Sequence, residues 1–169
     1  MAERIYGFEP VWREDARMLI LGSMPSVESL RQSFYYAHPR NAFWPMISEI
    51  LGEAVPETIA DKKDMLLRHR IAMWDTVGSC ERAGSLDSAI RDPQPNDFAA
   101  LFRNCPEIKH IFFNGATAHQ LYCKLVAKED GRRMLHRLPS TSPAYTLKYE
   151  IKRARWQAAL KEAFPDESL

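Results

Sequence analysis

Residues 35–44 read YYAHPRNAFW and hold the densest group of side chains that could take part in chemistry. The rings of Tyr35 and Tyr36 could stack on a planar ligand, as aromatic side chains do on nucleobases. The side-chain amide of Asn41 could hold a water molecule. Both features also have structural explanations, because asparagine commonly caps a helix and tyrosine commonly packs in a core.

Two further segments carry polar groups beside predicted strands. Residues 138–145 read LPSTSPAY, and hydroxyls and backbone amides placed just before a helix can bind a phosphate. The same pattern is typical of an ordinary turn from a strand into a helix. The amide of Asn114 could read a base edge through a paired donor and acceptor, although Asn-Gly is also a common turn dipeptide.

Short apolar runs alternate with helical patterns along the chain. Strands are predicted at residues 18–21, 71–74, 108–113 and 134–138. Helices are predicted at residues 43–51 with Gly52 at the end, from a Thr58 cap toward Arg70, from an Asn96 cap to 102, at 117–128 and at 147–164. This order predicts one α/β domain over residues 1–169, a three-layer α/β/α fold around a central, mostly parallel four-stranded sheet.

Ligands of open α/β sheets bind in the crevice outside the carboxyl ends of the strands. Each predicted strand is followed by a segment that holds polar residues or glycine. We therefore expect a single site where four segments converge, at residues 22–26, 75–79, 114–116 and 139–145.

The composition argues against several classes of protein. The formal net charge is +1, so contact with nucleic acid must come from local basic clusters. The scattered Cys80, Cys105 and Cys123 fit neither a disulfide framework nor a zinc or iron–sulfur site. Residues 1–15 lack the apolar segment of a signal peptide, and no run approaches the ~20 apolar residues of a membrane span. We therefore expect a cytoplasmic protein with reduced thiols that does not associate with a membrane.

Three motifs, in order, resemble those of the uracil-DNA glycosylase superfamily. They are LGSMPS at residues 21–26, YYAHPRNAFW at 35–44 and LPSTSPA at 138–144. The segment before the Phe-Trp pair is similar to the mismatch-specific thymine/uracil branch. The hypoxanthine-DNA (deoxyinosine) glycosylase branch is the best match, because residues 74–82 and 84–90 also resemble it. The similarity runs from about Ile5 to Trp156.

The resemblance implies a DNA repair enzyme that hydrolyses the N-glycosidic bond of a deaminated base. Hypoxanthine is the first candidate, with uracil or xanthine as alternatives. Such an enzyme acts on DNA containing a deaminated base, extrudes the nucleotide from the duplex and leaves an abasic site. It needs no metal and no cofactor. We expect a monomer, because the extruded nucleotide would occupy one self-contained pocket.

The resemblance also implies roles for individual residues. Asn41 would position the attacking water, Asn114 would bond the base edge, and Tyr35 or Tyr36 would stack on the base. His38 would either donate a hydrogen bond to the base or sugar, or only hold the loop backbone. The loop that lines the base pocket would contribute Gly22, Ser23 and Met24. The residues expected to contact the DNA are Pro25, Ser26, Ser140, Thr141, Ser142, Tyr145 as a wedge, Lys148 and Lys152.

Two positions depart from the better-known branches. Met24 stands where the mismatch-specific branch has an asparagine, and Leu138 stands where the uracil-specific branch has a histidine. The resemblance therefore assigns the catalytic amide to Asn41. Uracil excision in the manner of the uracil-specific branch is not expected.

Three alternatives stay open at this point. A catalytically silent DNA-binding module of the same fold is favoured by Met24 and disfavoured by Asn41. A serine hydrolase would need a G-x-S-x-G elbow, which residues 22–26 lack. The histidines that a metalloenzyme would use show no ligand spacing along a helix: His38, His110, His119 and His136.

Overall fold

A computed structural model describes residues 3–127 and 132–167. Its strands are β1 (Arg4–Tyr6), β2 (Met18–Gly22), β3 (Ile71–Asp75), β4 (Val77–Glu81), β5 (Arg91–Pro95), β6 (His110–Asn114) and β7 (Met134–Leu138). Its α-helices are α1 (Val27–Gln32), α2 (Phe43–Leu51), α3 (Ile59–Arg68), α4 (Phe98–Asn104), α5 (Ala116–Leu125) and α6 (Tyr149–Ala163). A short 3-10 helix covers Asp87–Ala89.

The predicted parallel four-stranded sheet is confirmed. Its strand order is β3-β2-β6-β7, and all three pairings are parallel. Every residue of β2 and β3 is buried, as expected for strands covered on both faces. Because the strands run in the same direction, their carboxyl ends lie at one edge, and the loops that follow them meet there.

A second, antiparallel sheet was not predicted. It has the order β1-β4-β5, and a single residue, Thr76, separates β4 from β3 along the chain. The sequence does not indicate this sheet, because neither β4, which reads VGSCE, nor β5, which reads RDPQP, contains an apolar run. Two prolines in β5 also argue against a strand unless it lies at a sheet edge, and β5 is an edge strand here.

The helix boundaries differ in detail from the predicted ones. Thr58 caps α3 as predicted, since its hydroxyl accepts from the backbone N–H of Asp61 at 3.0 Å. Helix α4 is capped by Asp97 and not by Asn96, whose Nδ2 donates to the backbone oxygen of Asp75 at 2.7 Å. Helix α5 ends at Leu125, and the predicted continuation to residue 128 reaches beyond the described residues.

Two tryptophans attach loops at the site to the core, one loop after β7 and one before α2. The indole N–H of Trp156, on α6, donates to the backbone oxygen of Pro139 at 2.9 Å, just after β7. The indole N–H of Trp44, on α2, donates to the backbone oxygen of Tyr35 at 2.9 Å. Both rings are buried and pack against Phe43. The loops beside β7 and before α2 are therefore held by the aromatic core.

No helix within residues 3–127 and 132–167 combines the length and the apolar character that a bilayer crossing requires.

Candidate active site

A cavity of about 930 Å³ opens at the carboxyl ends of the parallel strands. The predicted segments 22–26, 114–116 and 139–145 line it, with only Pro143 absent among their residues. From the segment 75–79 only Asp75 reaches the cavity, because β4 starts at Val77. Residues 85–88, between the strands of the unpredicted sheet, line it as well. The convergence expected from the fold is therefore present, with one additional loop.

Asn41, Thr141 and Asn114 form one hydrogen-bonded network at the cavity. The Thr141 hydroxyl donates to Asn41 Oδ1 at 2.8 Å and accepts from Asn114 Nδ2 at 2.9 Å. The backbone N–H of Thr141 donates to Asn114 Oδ1 at 2.9 Å, and its backbone oxygen accepts from the N–H of Ala42 at 3.0 Å. Thr141 thus joins the ends of β6 and β7 to the loop that carries Asn41.

The network fixes which end of the Asn41 amide is available. Asn41 Oδ1 also accepts from the backbone N–H of Phe43 at 2.9 Å. A backbone N–H can only donate, so the amide cannot be flipped, and two donors already occupy the two lone pairs of Oδ1. The Nδ2 group is then the part of the side chain left for a ligand. The N-cap of α2 is Ala42, so Asn41 is not the helix cap that its structural explanation required. Its Oδ1 still bonds the first N–H of α2, and the residue lines the cavity.

Asp75 and Tyr36 place unsatisfied polar atoms against the same cavity. Asp75 is only 3% exposed, and its Oδ2 and the hydroxyl of Tyr36 are buried without a hydrogen-bond partner among the described residues. Gly22 lies between them, since a Cβ there would be 2.5 Å from Asp75 Oδ1 and 2.9 Å from the Tyr36 hydroxyl. Buried polar atoms without partners are costly, and they are typical of sites that a ligand completes.

The protonation states at this position follow from burial. Burial, with a smaller contribution from the negative charge of Asp87 and against the opposing charge of Arg82, raises the pKa of Asp75 to about 7. Burial also raises the pKa of Tyr36 above its usual value, the nearby Asp75 carboxyl adds to this, and the neighbouring Asn114 amide opposes it. Near neutral pH the Tyr36 hydroxyl is therefore a neutral donor, and a large fraction of Asp75 carries its proton.

The two predicted stacking residues have different environments. The Tyr36 ring is stacked on Phe43 at 4.4 Å between centroids and lines the cavity. Tyr35 also borders the cavity, but its ring is buried between Phe8 and Phe34 and its hydroxyl donates to the backbone oxygen of Glu9 at 2.7 Å. The Tyr35 ring therefore packs in the core and does not offer a face on which a base could stack.

His38 lies outside the set of residues that line the cavity. Its Nδ1 accepts from the backbone N–H of Arg40 at 3.1 Å, and its backbone oxygen accepts from the N–H of Asn41 at 2.9 Å. Of the two roles considered for His38, the structure therefore supports the one that holds the loop. A hydrogen bond from His38 to the base or sugar stays a prediction.

Two residues predicted to contact DNA need correction. Thr141 is buried, and its polar groups are used by the network described above. Lys152 is 4% exposed, and its Nζ donates to the backbone oxygens of Ser142 at 3.1 Å and Tyr145 at 2.7 Å. Lys148, the N-cap of α6, is exposed, and its contact with DNA stays a prediction. Lys152 thus shapes the loop before α6 instead of presenting its charge to solvent.

The remaining predicted residues lie at the cavity. Ser140 Oγ accepts from the backbone N–H of Ser142 at 3.1 Å, and Ser142 Oγ accepts from that of Ala144 at 3.2 Å. Tyr145 follows and is exposed at the rim. On the other side, the residues that line the wall are Gly22, Ser23, Met24, Pro25 and Ser26. Ser26 also caps α1, a helix that was not predicted.

The sequence placed Asp75 at the site only as part of the segment 75–79, without a role of its own, and it missed the loop 85–88. For Asp75 a signal existed, because it directly follows the buried run 71–74 at the end of a predicted strand. The loop 85–88 gave no such signal, since it depends on the second sheet. Its place at the cavity results from contacts distant in sequence, in which Ser23 Oγ donates to Asp87 Oδ1 at 2.7 Å.

A resident metal has no evident ligand set in the described parts of the chain. Across residues 3–127 and 132–167, no three His, Cys, Asp or Glu side chains come together as a metal ion would require. The cavity itself offers amide, hydroxyl, carboxyl and guanidinium groups, the last from Arg137 and Arg155. The groups available at the site are therefore hydrogen-bonding groups.

The chain matches a family model over residues 10–165, and that family is the uracil DNA glycosylase superfamily. The chain belongs to this superfamily. It is 35% identical over 156 residues to a hypoxanthine DNA glycosylase of Methanosarcina acetivorans, an alignment that covers 92% of this chain and 97% of that protein. It is 37% identical over 110 residues to a hypoxanthine DNA glycosylase of Methanosarcina barkeri, covering 64% of this chain and 70% of the relative.

A solved structure of the superfamily has the same fold. It is the solution NMR structure of a Methanosarcina acetivorans protein provisionally assigned as a uracil DNA glycosylase. The TM-score is 0.81 at 34% sequence identity, covering 95% of this chain and 98% of the other. The resemblance read from the three motifs is therefore confirmed at the level of the superfamily and its fold.

Proposed function

We propose that this chain removes hypoxanthine from DNA by hydrolysing its N-glycosidic bond and leaving an abasic site. The observation that carries the proposal is the fixed Asn41 amide at a cavity formed by the strand ends, in a member of a glycosylase superfamily. Two relatives named hypoxanthine DNA glycosylase support this choice of base. A cavity of about 930 Å³ also lies within the usual range for sites that enclose a small ligand.

The substrate nucleotide must leave the duplex before the cavity can receive it. Extrusion costs a few kcal/mol, and the cost is lowest for a base that pairs weakly. Hypoxanthine in a mismatch is such a base. The loops that contain Pro25 and Ser26 on one side and Ser140 and Ser142 on the other would hold the flanking phosphates, because they offer hydroxyls and backbone amides at the cavity rim.

Cleavage of the bond requires little activation of the water. As the bond from C1′ to N9 breaks, its electron pair goes to the base and positive charge develops on the sugar. A water held by Asn41 Nδ2 then adds to C1′ and loses its proton to solvent. The role of Asn41 is therefore orientation, which alone can supply a large part of a rate enhancement.

The leaving base must be stabilised as negative charge develops on it. Hypoxanthine accepts hydrogen bonds at O6. The Tyr36 hydroxyl and a protonated Asp75 carboxyl are two donors without a hydrogen-bond partner within residues 3–127 and 132–167. Donors that meet a developing negative charge in a water-poor site stabilise the transition state. Adenine has an amino group in place of O6. Its N–H donors would face the Tyr36 hydroxyl and the Asp75 carboxyl, which are also donors, so adenine would be disfavoured.

A panel of duplexes tests the proposal. Each duplex carries one hypoxanthine, uracil, xanthine or mismatched thymine, and alkali reveals the abasic sites. We expect release of hypoxanthine, with undamaged duplexes of the same sequence left intact as the control. Release of uracil alone would select the uracil-type alternative within the superfamily. No release from any duplex or single strand would instead favour a DNA-binding module without catalysis.

A further inference from the structure

Leu86 is an exposed leucine at the rim of the cavity. It is 62% exposed, and it belongs to the loop 85–88 that lines the cavity opening. Val27, also exposed, lies beside this loop, because its backbone N–H donates to Ser85 Oγ at 2.9 Å. A single exposed leucine is unremarkable on a protein surface, so its meaning depends on how it is held and what it faces.

The loop that carries Leu86 is fastened on both sides. Ser23 Oγ donates to Asp87 Oδ1 at 2.7 Å, and the buried Arg82 donates from Nε to the backbone oxygen of Gly84 at 2.8 Å. The backbone oxygen of Leu86 accepts from the N–H of Ala89 at 3.0 Å, which closes the short 3-10 helix. Ordering an exposed apolar side chain contributes little to the stability of the fold. For a residue that binds a ligand, the same ordering lowers the entropy lost on binding.

Leu86 and Tyr145 lie on opposite sides of the cavity. The Leu86 loop is attached to Ser23 and Val27, which follow β2, whereas Tyr145 follows β7. Strand β6 lies between β2 and β7 in the sheet. Neighbouring strands are about 4.8 Å apart, so the two carboxyl ends are separated by about 10 Å. Because Leu86 and Tyr145 both line the cavity, a nucleotide bound in it would have one of them on each side.

We propose that Leu86 is an apolar wedge that enters the base stack when the substrate nucleotide is extruded, from the side opposite Tyr145. The proposal rests on the proposed function, since it requires a DNA duplex with an extruded nucleotide. Extrusion leaves apolar base faces exposed, and proteins that distort DNA commonly insert leucine or similar side chains between base steps. Val27 widens the same apolar surface and would pack beside the wedge.

A wedge matters for duplex DNA and not for single-stranded DNA, whereas a residue that only shapes the pocket matters equally for both. A single strand has no opposing base to displace and little stacking to replace, so its cleavage does not need a wedge. We expect Leu86→Ala to lower the single-turnover rate on duplex hypoxanthine by about tenfold, since unstacking costs a few kcal/mol and each tenfold is about 1.4 kcal/mol. On single-stranded DNA, the rate of Leu86→Ala stays within about twofold of the wild-type rate, a much smaller change than the tenfold loss expected on the duplex.

Met134→Ala is the matched control. Met134 is 61% exposed, but it is the first residue of β7, at the opposite end of the sheet. This variant keeps the wild-type rate on both substrates, and Leu86→Met, which preserves an apolar side chain, restores most of the duplex rate. An equal loss on duplex and single strand in Leu86→Ala would overturn the proposal, because it would mean that the loop serves only the pocket. A duplex rate equal to that of the wild type would also overturn it.

A fluorescence measurement gives a second, independent readout. 2-Aminopurine placed next to hypoxanthine brightens when its neighbour leaves the stack. In an Asn41→Ala background at saturating protein, we expect the increase on binding to be mostly lost when Leu86→Ala is added. An unchanged increase contradicts the wedge while leaving the proposed function intact. Failure of the wild type to release hypoxanthine would instead reject the proposed function and, with it, the wedge.

Discussion

The Asp75→Asn substitution tests the state of the buried carboxyl. Burial raises the pKa of Asp75 from 3.8 to about 7, so the folded chain keeps this proton to a higher pH than the unfolded chain does. The contribution of the protonated group to stability is complete below about pH 4, and it is lost as the pH rises through about 7. Asparagine has a similar shape and does not titrate.

The magnitude follows from the difference between the two pKa values. A difference of about three units corresponds to about 4 kcal/mol, at about 1.4 kcal/mol for each unit. We therefore expect the free energy of unfolding of Asp75→Asn, relative to wild type, to increase by about 4 kcal/mol between pH 4 and pH 8. Such a change is large beside the 5–15 kcal/mol typical of folded proteins.

The measurement is urea unfolding of both proteins at 25 °C, at closely spaced pH values. Taking the difference between the proteins cancels the titration of distant groups, which both share. A difference that does not vary with pH would refute the reasoning, because it would show that the folded protein does not hold Asp75 protonated. The donor role of Asp75 toward the leaving base near neutral pH would then be rejected as well.

Three further substitutions test the surroundings of the site. Thr141→Val leaves Asn114 Nδ2 without its partner, so unfolding urea titrations should show a loss of about 1–3 kcal/mol, and Thr141→Ser should recover it. Gly22→Ala places a methyl group against Asp75 and Tyr36, and single-turnover assays should show a loss of about a hundredfold in a folded protein. Lys152→Met removes the charged donor to the backbone oxygens of Ser142 and Tyr145. Because one hydrogen bond to a charged group is worth about 1.5–3 kcal/mol, binding titrations with abasic-site DNA should show about tenfold weaker affinity. An affinity equal to that of the wild type would contradict the loop-shaping role of Lys152.

The parallel sheet could be predicted because local patterns determine it. Apolar runs such as residues 18–21 and 71–74 are long enough and well enough bounded to indicate buried strands. Ligands of open α/β sheets bind outside the carboxyl ends of the strands, and this rule predicted the position of the cavity from the sequence. The antiparallel sheet escaped prediction because its stability comes from pairing with distant strands, and residues 91–95 carry two prolines and mostly exposed side chains.

The site was predicted in part, for a similar reason. Residue types identify Asn41 and Asn114 as polar groups at the ligand edge, but not which of their atoms are already engaged. Thr141 joins Asn41 across 100 positions of sequence, and no local pattern records such a bond. The buried state of Lys152 is equally hidden, because a lysine in an amphipathic helix is normally solvated.

The single-turnover rate of hypoxanthine release by Asn41→Ala tests the central claim most directly. Asn104→Ala, which removes an exposed amide at the end of α4, is the control. DNA affinity is measured separately for each protein. We predict that Asn41→Ala loses about a hundredfold or more in rate while still binding DNA, as expected when a reacting water is no longer held in position. A rate equal to that of Asn104→Ala would show that the Asn41 amide does not hold the attacking water.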